Sequence, residues 1–193
     1  MDNQKTAKQK KKPSATAAKA EKKRDYWIPK IFVMSIAISA VFSLVSSNVL
    51  NGAGYVIAFL LLAVFIMVGI LFDVVGVSVT AAEERPFHSM AAHGEKSAVR
   101  ALKMIRNAEK VGSVCNDVVG DISGIVSGST AAIIVTKLSS DFGVDTMLLS
   151  LVISALVSGL TIGGKAIGKR IAINNSTQVV HLVARILYFV RRK

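Results

Sequence analysis

Residues 31–72, IFVMSIAISAVFSLVSSNVLNGAGYVIAFLLLAVFIMVGILF, form a continuous stretch without a charged side chain. A helix rises about 1.5 Å per residue and the apolar core of a bilayer is about 30 Å thick, so a stretch of this length predicts two crossings. The NGAG sequence at residues 51–54 predicts the turn between them. A soluble monomer is therefore excluded.

The rest of the chain repeats this pattern. A second uncharged stretch occupies residues 146–164, and residues 111–136 are apolar apart from one amide and two carboxylates. Together they predict an all-α integral membrane protein with four transmembrane helices, at residues 31–49, 55–77, 111–136 and 146–164. The chain has 193 residues, of which 52% are hydrophobic, and a mean hydropathy of +0.52. This composition agrees with such a fold.

The residue content excludes most kinds of catalytic and metal site. The single cysteine, Cys115, cannot form an internal disulfide or a thiolate cluster. The histidines, His88, His93 and His181, are scattered without a zinc-ligand spacing. No nucleophile elbow, Walker A loop or dinucleotide-binding glycine motif occurs. We therefore predict that the chain is not an enzyme.

Positive charge is concentrated at the N-terminus. The chain has 24 Lys and Arg against 12 Asp and Glu, and residues 1–30 hold ten of the basic and three of the acidic side chains. This composition predicts a disordered basic tail at 1–27, followed by an extra N-terminal span at 28–50 and a three-span domain at 51–193. An aromatic pair at the junction favours binding of the tail to anionic lipid of the bilayer, and no nucleic acid is expected as a partner.

The distribution of basic residues also predicts the orientation of the spans. The tail, the 78–110 segment and the chain from Lys165 onward are basic, whereas the first turn is uncharged and the 137–145 loop is slightly acidic. Basic segments remain on the cytoplasmic side of a membrane. Both termini are therefore expected to be cytoplasmic, in a multi-pass protein of the cell membrane.

Two of the basic segments have the pattern of amphipathic juxtamembrane helices. In residues 95–110 an apolar stripe lies opposite the lysines and arginines, and residues 179–193 are apolar with a basic end. Pro86 lies between the second span and the first of these segments, where it is expected to start or kink a helix.

Small residues recur every four positions on three of the spans. The third span carries Gly120, Gly124, Gly128 and Ala132, and serines repeat in the same way in the first and fourth spans. In lipid, such stripes allow helix backbones to approach closely. We therefore expect them to serve helix packing and the interface of a homodimer.

Two carboxylates lie within the third span. Asp117 and Asp121 are four residues apart and share one face, with Asn116, Gly120 and Ser123 on the adjoining face. A carboxylate at the centre of a bilayer costs about 2.5–3.5 kcal/mol on insertion scales. These charges therefore need a proton, a basic partner or a cation.

Two interpretations of these acids are open. Either they lie at the cytoplasmic interface and pair with lysine, arginine or water, or they form a cation site that Asp73 of the second span completes. Oxygen ligands without histidine or cysteine suit Mg²⁺ better than zinc or copper. The second interpretation predicts Mg²⁺ ligands or relays at Asp73, Asn116, Asp117, Asp121 and Ser123.

Residues 71–185 resemble the transmembrane domain of the CNNM/CorB–CorC family of magnesium and cobalt transporters or efflux proteins. MAAHGEKSAVRALKMIRNAEK, at residues 90–110, is similar to the family's amphipathic LAEEGDxxAxxALxLxxNP segment. GKAIGKRIAINNSTQVV, at residues 164–180, is similar to its GEIIPKxIAxRNPExVA motif. The matching positions are Gly94, Ala98, Arg100, Ala101, Leu102 and Asn107 in the first motif and Gly164, Lys169, Ile171, Ala172, Asn175 and Val179 in the second.

The resemblance implies a homodimeric three-span bundle with a Mg²⁺ site open to the cytoplasm, and it adds Gly120 to the ligand positions. The chain departs from the family at Gly76 and Lys165, where the family has glutamate. No CBS domain pair is expected, because the sequence ends at residue 193. We therefore expect a protein that binds and transports a divalent cation. The alternative is a non-transporting regulator or scaffold whose basic tail binds lipid or a partner.

Overall fold

The computed structural model describes residues 27–50 and 54–190, and all regular structure within them is helical. The tail predicted to be disordered lies outside the described residues apart from Trp27, and so does most of the predicted turn. Packing divides the chain into a unit that ends at Met34 and a unit that begins at Ser35. The described part of the first unit is a short length of helix with exposed apolar side chains. The contacts described below lie within the second unit.

The regular structure of the described residues consists of eight α-helices and one π-helical segment. In chain order they are α1 (Trp27–Leu50), α2 (Tyr55–Ala81), α3 (Arg85–Ala92), α4 (Lys96–Ile105), α5 (Ala108–Gly112), the π-helical segment (Ser113–Gly120), α6 (Asp121–Phe142), α7 (Thr146–Asn174) and α8 (Ser176–Val190). α5, the π-helical segment and α6 continue one another as a single long helix, Ala108–Phe142, called the third span below.

The four predicted crossings are confirmed as helices. α1, α2, the third span and α7 each contain the residues predicted for one crossing, and each is long and apolar enough to cross a bilayer. Large apolar side chains on their outer faces, such as Leu60, Met67 and Leu151, are more than half exposed. Such faces are unfavourable in water and are readily solvated by lipid tails. The chain therefore has the architecture of a multi-pass membrane protein.

α7 continues beyond the end predicted for the fourth span. The prediction stopped before Lys165, the first charge, but the helix runs through the basic motif to Asn174. Gly168 lies directly on α2, because a Cβ at this position would come within 2.8 Å of the Val74 side chain. The basic part of α7 is therefore packed on α2 and does not leave the bundle at Lys165.

The short helices pack together at the end of α2. α3, α4 and α8 share an apolar cluster with α2, formed by Val79, Phe87, Ala101, Leu102, Val180 and Ala184. α3 has Pro86 in its first turn, as predicted. Gly94, with a φ of +87°, turns the chain from α3 into α4. Both predicted amphipathic segments are therefore largely helical, and each buries one side against this cluster.

The opposite end of α2 packs in a second apolar cluster, formed by Leu50, Ala58, Leu62, Ala131 and Ile134. A hydrogen bond of 2.9 Å between the Ser46 and Thr130 hydroxyls joins α1 to the third span there. Gly143, with a φ of +65°, ends the third span, and the Asp145 carboxylate caps α7. The third span is the most enclosed of the four, so its inward side chains line the interior.

Candidate functional site

The third span changes its helical geometry at the π-helical segment, Ser113–Gly120. In a π-helix each backbone N–H bonds the carbonyl five residues back, and such segments occur frequently at functional sites. The segment contains Asn116, Asp117 and Gly120, three of the six predicted ligands.

Glycines show how α2 lies on this segment. A Cβ on Gly69 would come 3.1 Å from Ser123 Cβ, and a Cβ on Gly76 would come 2.0 Å from Asn116 Oδ1. The Asn116 amide therefore fills space that Gly76 leaves open. Asp73 lies about one turn from each glycine on the same face of α2, so it faces the part of the third span between Asn116 and Ser123.

Three buried oxygen atoms in this contact have no hydrogen-bond partner among the described residues. They are Asp73 Oδ2, Asn116 Oδ1 and Ser123 Oγ, and their residues are called the inner cluster below. Asp73 is 5% exposed and Ser123 is 1% exposed. A buried polar group without a partner costs about 1–3 kcal/mol, and a charged group costs more. Because an ionised carboxylate and an amide oxygen only accept, the inner cluster calls for a cation or a donor.

Lys165 of α7 brings a positive charge towards the same contact. Its Nζ lies 3.6 Å from the position that a Cβ would take on Gly120, so the absence of a side chain there provides its space. The same position is 4.0 Å from the Gly69 carbonyl oxygen, which places the ammonium near the line where α2 meets the third span. Among the described carboxylates, none forms an ion pair with Lys165.

Asp117 and Asp121 lie outside the inner cluster. Both are exposed, and Asp117 accepts a hydrogen bond of 2.7 Å from the Ser113 hydroxyl. Together with Gly124 and Gly128 they form the exposed side of the third span, called the outer face below. A Cβ on either glycine would meet nothing within 4 Å. The outer face is therefore accessible from outside the helix bundle.

The six predicted ligands thus divide between two faces. The structure brings Asp73, Asn116, Gly120 and Ser123 together and directs the two acids of the third span elsewhere. No three His, Cys, Asp or Glu side chains of the described residues are grouped so that they could hold a metal ion. A cation at the inner cluster would therefore have one carboxylate, with amide and hydroxyl oxygens beside it.

The sequence prediction missed Lys165 as a member of the site. The sequence does single out Lys165, because it is the first charged residue after the uncharged stretch 146–164. A lysine beyond an apolar stretch commonly lies at the membrane interface, so the sequence alone places Lys165 at the end of the fourth span. The continuation of α7 beside Gly120 gives it a different position.

No family model, curated protein or solved structure matches the chain. The resemblance to the CNNM/CorB–CorC family therefore stays a prediction.

Proposed function

We propose that this protein binds a cation at the inner cluster and carries it across the membrane, with Mg²⁺ as the expected cargo. The observation that supports the proposal is the set of three buried oxygen atoms, from Asp73, Asn116 and Ser123, that have no hydrogen-bond partner among the described residues. These atoms are hard ligands, and Mg²⁺ is commonly held by one or two carboxylates while it keeps several waters. A Cβ on Gly69 would come 3.1 Å from Ser123 Cβ, and the space at Gly120 is taken by Lys165. The waters of a bound ion therefore require the two helices to part at this contact and the Lys165 side chain to withdraw.

Lys165 would control when the cation can bind. The Asp73 carboxylate and the Lys165 ammonium have opposite charges, so the contact is nearly neutral when both are present. A divalent cation in the inner cluster would be repelled by the ammonium at short range. Binding is therefore coupled to withdrawal of the Lys165 side chain, which its flexible four-carbon stem allows without unwinding α7.

Transport requires the inner cluster to become accessible from the two sides in turn. Beside Asp73, α2 meets the third span through Gly69 and Gly76, so a small separation of the two helices at this point would expose Asp73. With the orientation predicted from the basic segments, both termini and helices α3, α4 and α8 lie on the cytoplasmic side of the plasma membrane. The inner cluster then opens towards the cytoplasm.

The outer face of the third span supports a homodimer as part of this proposal. Carboxylates that face lipid are unfavourable. Glycines on an exposed helix face allow the backbone of a second helix to approach closely. α7 has an exposed face that complements this outer face, because small residues that allow close packing are followed by a basic residue opposite in charge to the two acids. These residues are Ala155, Gly159, Gly163 and Arg170. In a pair of chains, the acids of one third span would lie beside Arg170 of the other chain.

The alternative function is that of a non-transporting regulator or scaffold. The observation that favours it is Lys165, because an ammonium near the inner cluster supplies positive charge without an added ion. The outer face would then serve assembly, and the basic tail would bind anionic lipid or a partner. In this case the inner cluster is structural and does not respond to Mg²⁺.

A thermal unfolding titration separates these functions. Purified full-length protein in detergent is titrated with Mg²⁺, with Ca²⁺ and with Na⁺ at matched ionic strength. Wild type is compared with Asp73→Asn and with the control Asp117→Asn/Asp121→Asn, which alters only the outer face. We expect a saturable Mg²⁺ stabilisation of about 2.7 kcal/mol at about 100 times Kd in wild type and in the control, and none in Asp73→Asn.

The same variants then distinguish binding from transport. Liposomes that contain a Mg²⁺-sensitive dye should show flux with wild type and with Asp117→Asn/Asp121→Asn, and no flux with Asp73→Asn. A Mg²⁺ response that Asp73→Asn retains would contradict the proposed site. Saturable binding without flux would instead favour the regulator.

A further inference from the structure

A cavity of about 580 Å³ lies between α4 and α8, in the layer of short helices. Its lining consists of Arg100, Lys103, Met104, Leu187 and Val190. Both charged residues of the lining are basic, and the other three are apolar. The cavity therefore combines positive charge with an apolar wall.

The Arg100 side chain is held in place at this cavity. Its guanidinium lies 5.0 Å from the centre of the Tyr188 ring, and it donates a hydrogen bond to the Leu187 carbonyl. An arginine fixed in this way loses less entropy when it binds an anion, and its remaining N–H groups can donate in a planar fork. Lys103, on the next turn of α4, is exposed and adds a second cation.

Two acidic side chains near these helices, Glu95 and Glu84, are already paired. Glu95 accepts hydrogen bonds from Ser97 at 3.0 Å and from His181 at 2.7 Å, and Glu84 lies 3.4 Å from Arg106. None of them lines the cavity. The positive charge of the cavity is therefore not neutralised by its own lining.

The outer side of α8 supplies an apolar surface next to the cavity. Leu182, Ile186, Phe189 and Val190 recur at helical spacing, and each is more than half exposed. The opposite side of α8 is buried in the apolar cluster through Val180. An exposed apolar face beside a basic pocket is the pattern of a helix that lies at the surface of a membrane.

We propose that this cavity binds the phosphate of an anionic phospholipid headgroup, with the acyl chains along the exposed face of α8. Arg100 and Lys103 would donate to the phosphate oxygens, and Leu187 and Val190 would contact the glycerol and the first methylene groups. Basic pockets at the membrane surface favour such headgroups. The site is separate from the inner cluster, and the proposal does not depend on cation transport.

The test measures lipid-dependent stability of the full-length protein. Detergent-solubilised protein is titrated with phosphatidylglycerol, with zwitterionic phosphatidylcholine, and with inorganic phosphate. Wild type is compared with Arg100→Gln/Lys103→Gln and with the matched control Arg85→Gln/Lys96→Gln. The control removes one arginine and one lysine from exposed positions of α3 and α4 that do not line the cavity. The basic tail is present in all three proteins, so its contribution cancels.

The expected result is a saturable rise in melting temperature with phosphatidylglycerol, about 5 °C at about 100 times Kd, in wild type and in the control. Arg100→Gln/Lys103→Gln should lose most of this rise. Lys103→Gln alone, at an exposed position that keeps the Arg100 contacts, should weaken the apparent affinity about fivefold, as expected for one charge-assisted contact of about 1 kcal/mol.

Four results would overturn the proposal, and three of them concern the lipid response. They are an equal loss in both double variants, an equal rise with phosphatidylcholine, and the absence of a saturable rise in wild type. A comparable rise with inorganic phosphate would also overturn it, because the site would then recognise a free anion and not a lipid.

Discussion

The inner and outer faces of the third span use polar residues in opposite ways. On the inner face, Asn116 and Ser123 are pressed against glycines of α2, and their oxygen atoms have no hydrogen-bond partner among the described residues. On the outer face, Asp117 and Asp121 are exposed and are followed by glycines with open space around them. The more highly charged face is thus the less enclosed one. Enclosure by a neighbouring helix, rather than the number of acids, identifies the candidate cation site.

The largest expected effect is on the stability of the protein, when a large side chain is added to the inner contact or to the outer face of the third span. Gly76→Leu forces a side chain into the position of the Asn116 amide and should destabilise the protein by about 3 kcal/mol, as overpacking of a tight contact does. Gly128→Leu adds the same volume to open space and should leave the unfolding of the monomer nearly unchanged. Thermal unfolding in detergent at low protein concentration measures both. Equal destabilisation by the two variants would contradict the difference in enclosure.

The next effect concerns the charge beside the inner cluster. Lys165→Met removes the ammonium that opposes the cation, so the apparent affinity for Mg²⁺ should rise about tenfold, which corresponds to about 1.4 kcal/mol. Lys169→Met is the matched control, because Lys169 is exposed one turn further along α7. The Mg²⁺ dependence of the melting temperature measures the affinity. An unchanged affinity in Lys165→Met, or the same rise in Lys169→Met, would show that Lys165 does not compete with the ion.

A smaller effect is expected from the outer face when two chains associate. Gly124→Leu/Gly128→Leu should weaken dimerisation by about 1–2 kcal/mol, because close backbone approach at small residues stabilises helix pairs in lipid. Ile133→Val, on the same helix, is the control for a change of exposed apolar volume. Cross-linking in liposomes at graded protein-to-lipid ratios measures association. Retention of the dimer in the glycine variant would place the interface elsewhere.

The smallest expected effect is on the pH dependence of stability and concerns Glu95, a carboxylate that has hydrogen-bond partners. The hydrogen bond from His181, followed by that from Ser97, lowers the pKa of Glu95 from its ordinary value of 4.5. A carboxylate whose pKa is lower in the folded state stabilises that state above pH 4.5, and the contribution is lost as the pH falls through the lowered pKa. The protection of α8 amides from hydrogen exchange, measured against the intrinsic exchange rate at each pH, should therefore fall below pH 4.5 in wild type. Glu95→Gln should remove this pH dependence, and an identical acid response in the variant would exclude Glu95 as its cause.

The candidate site could be predicted only in part from the sequence. Asp73, Asn116, Gly120 and Ser123 were identified because polar and small residues stand out in apolar stretches. The two acids of the third span, which lie on the adjoining face, were grouped with them because a cation site was expected to draw ligands from both faces. α2 packs on only one of these faces, so Asn116 and Ser123 are enclosed while Asp117 and Asp121 stay exposed. Which face a neighbouring helix covers has no local sequence signal of the kind that a glycine turn or a proline has.

The number of long apolar helices, their order and their approximate limits were determined by the sequence alone. The physical reason is that hydropathy, charge and turn residues are local properties, so uncharged stretches such as 31–72 show helices of membrane-spanning length without knowledge of their neighbours. Only the tertiary structure decided which polar groups are enclosed. That outcome depends on contacts between residues far apart in the chain, such as Gly76 with Asn116 and Gly120 with Lys165, which local patterns do not contain.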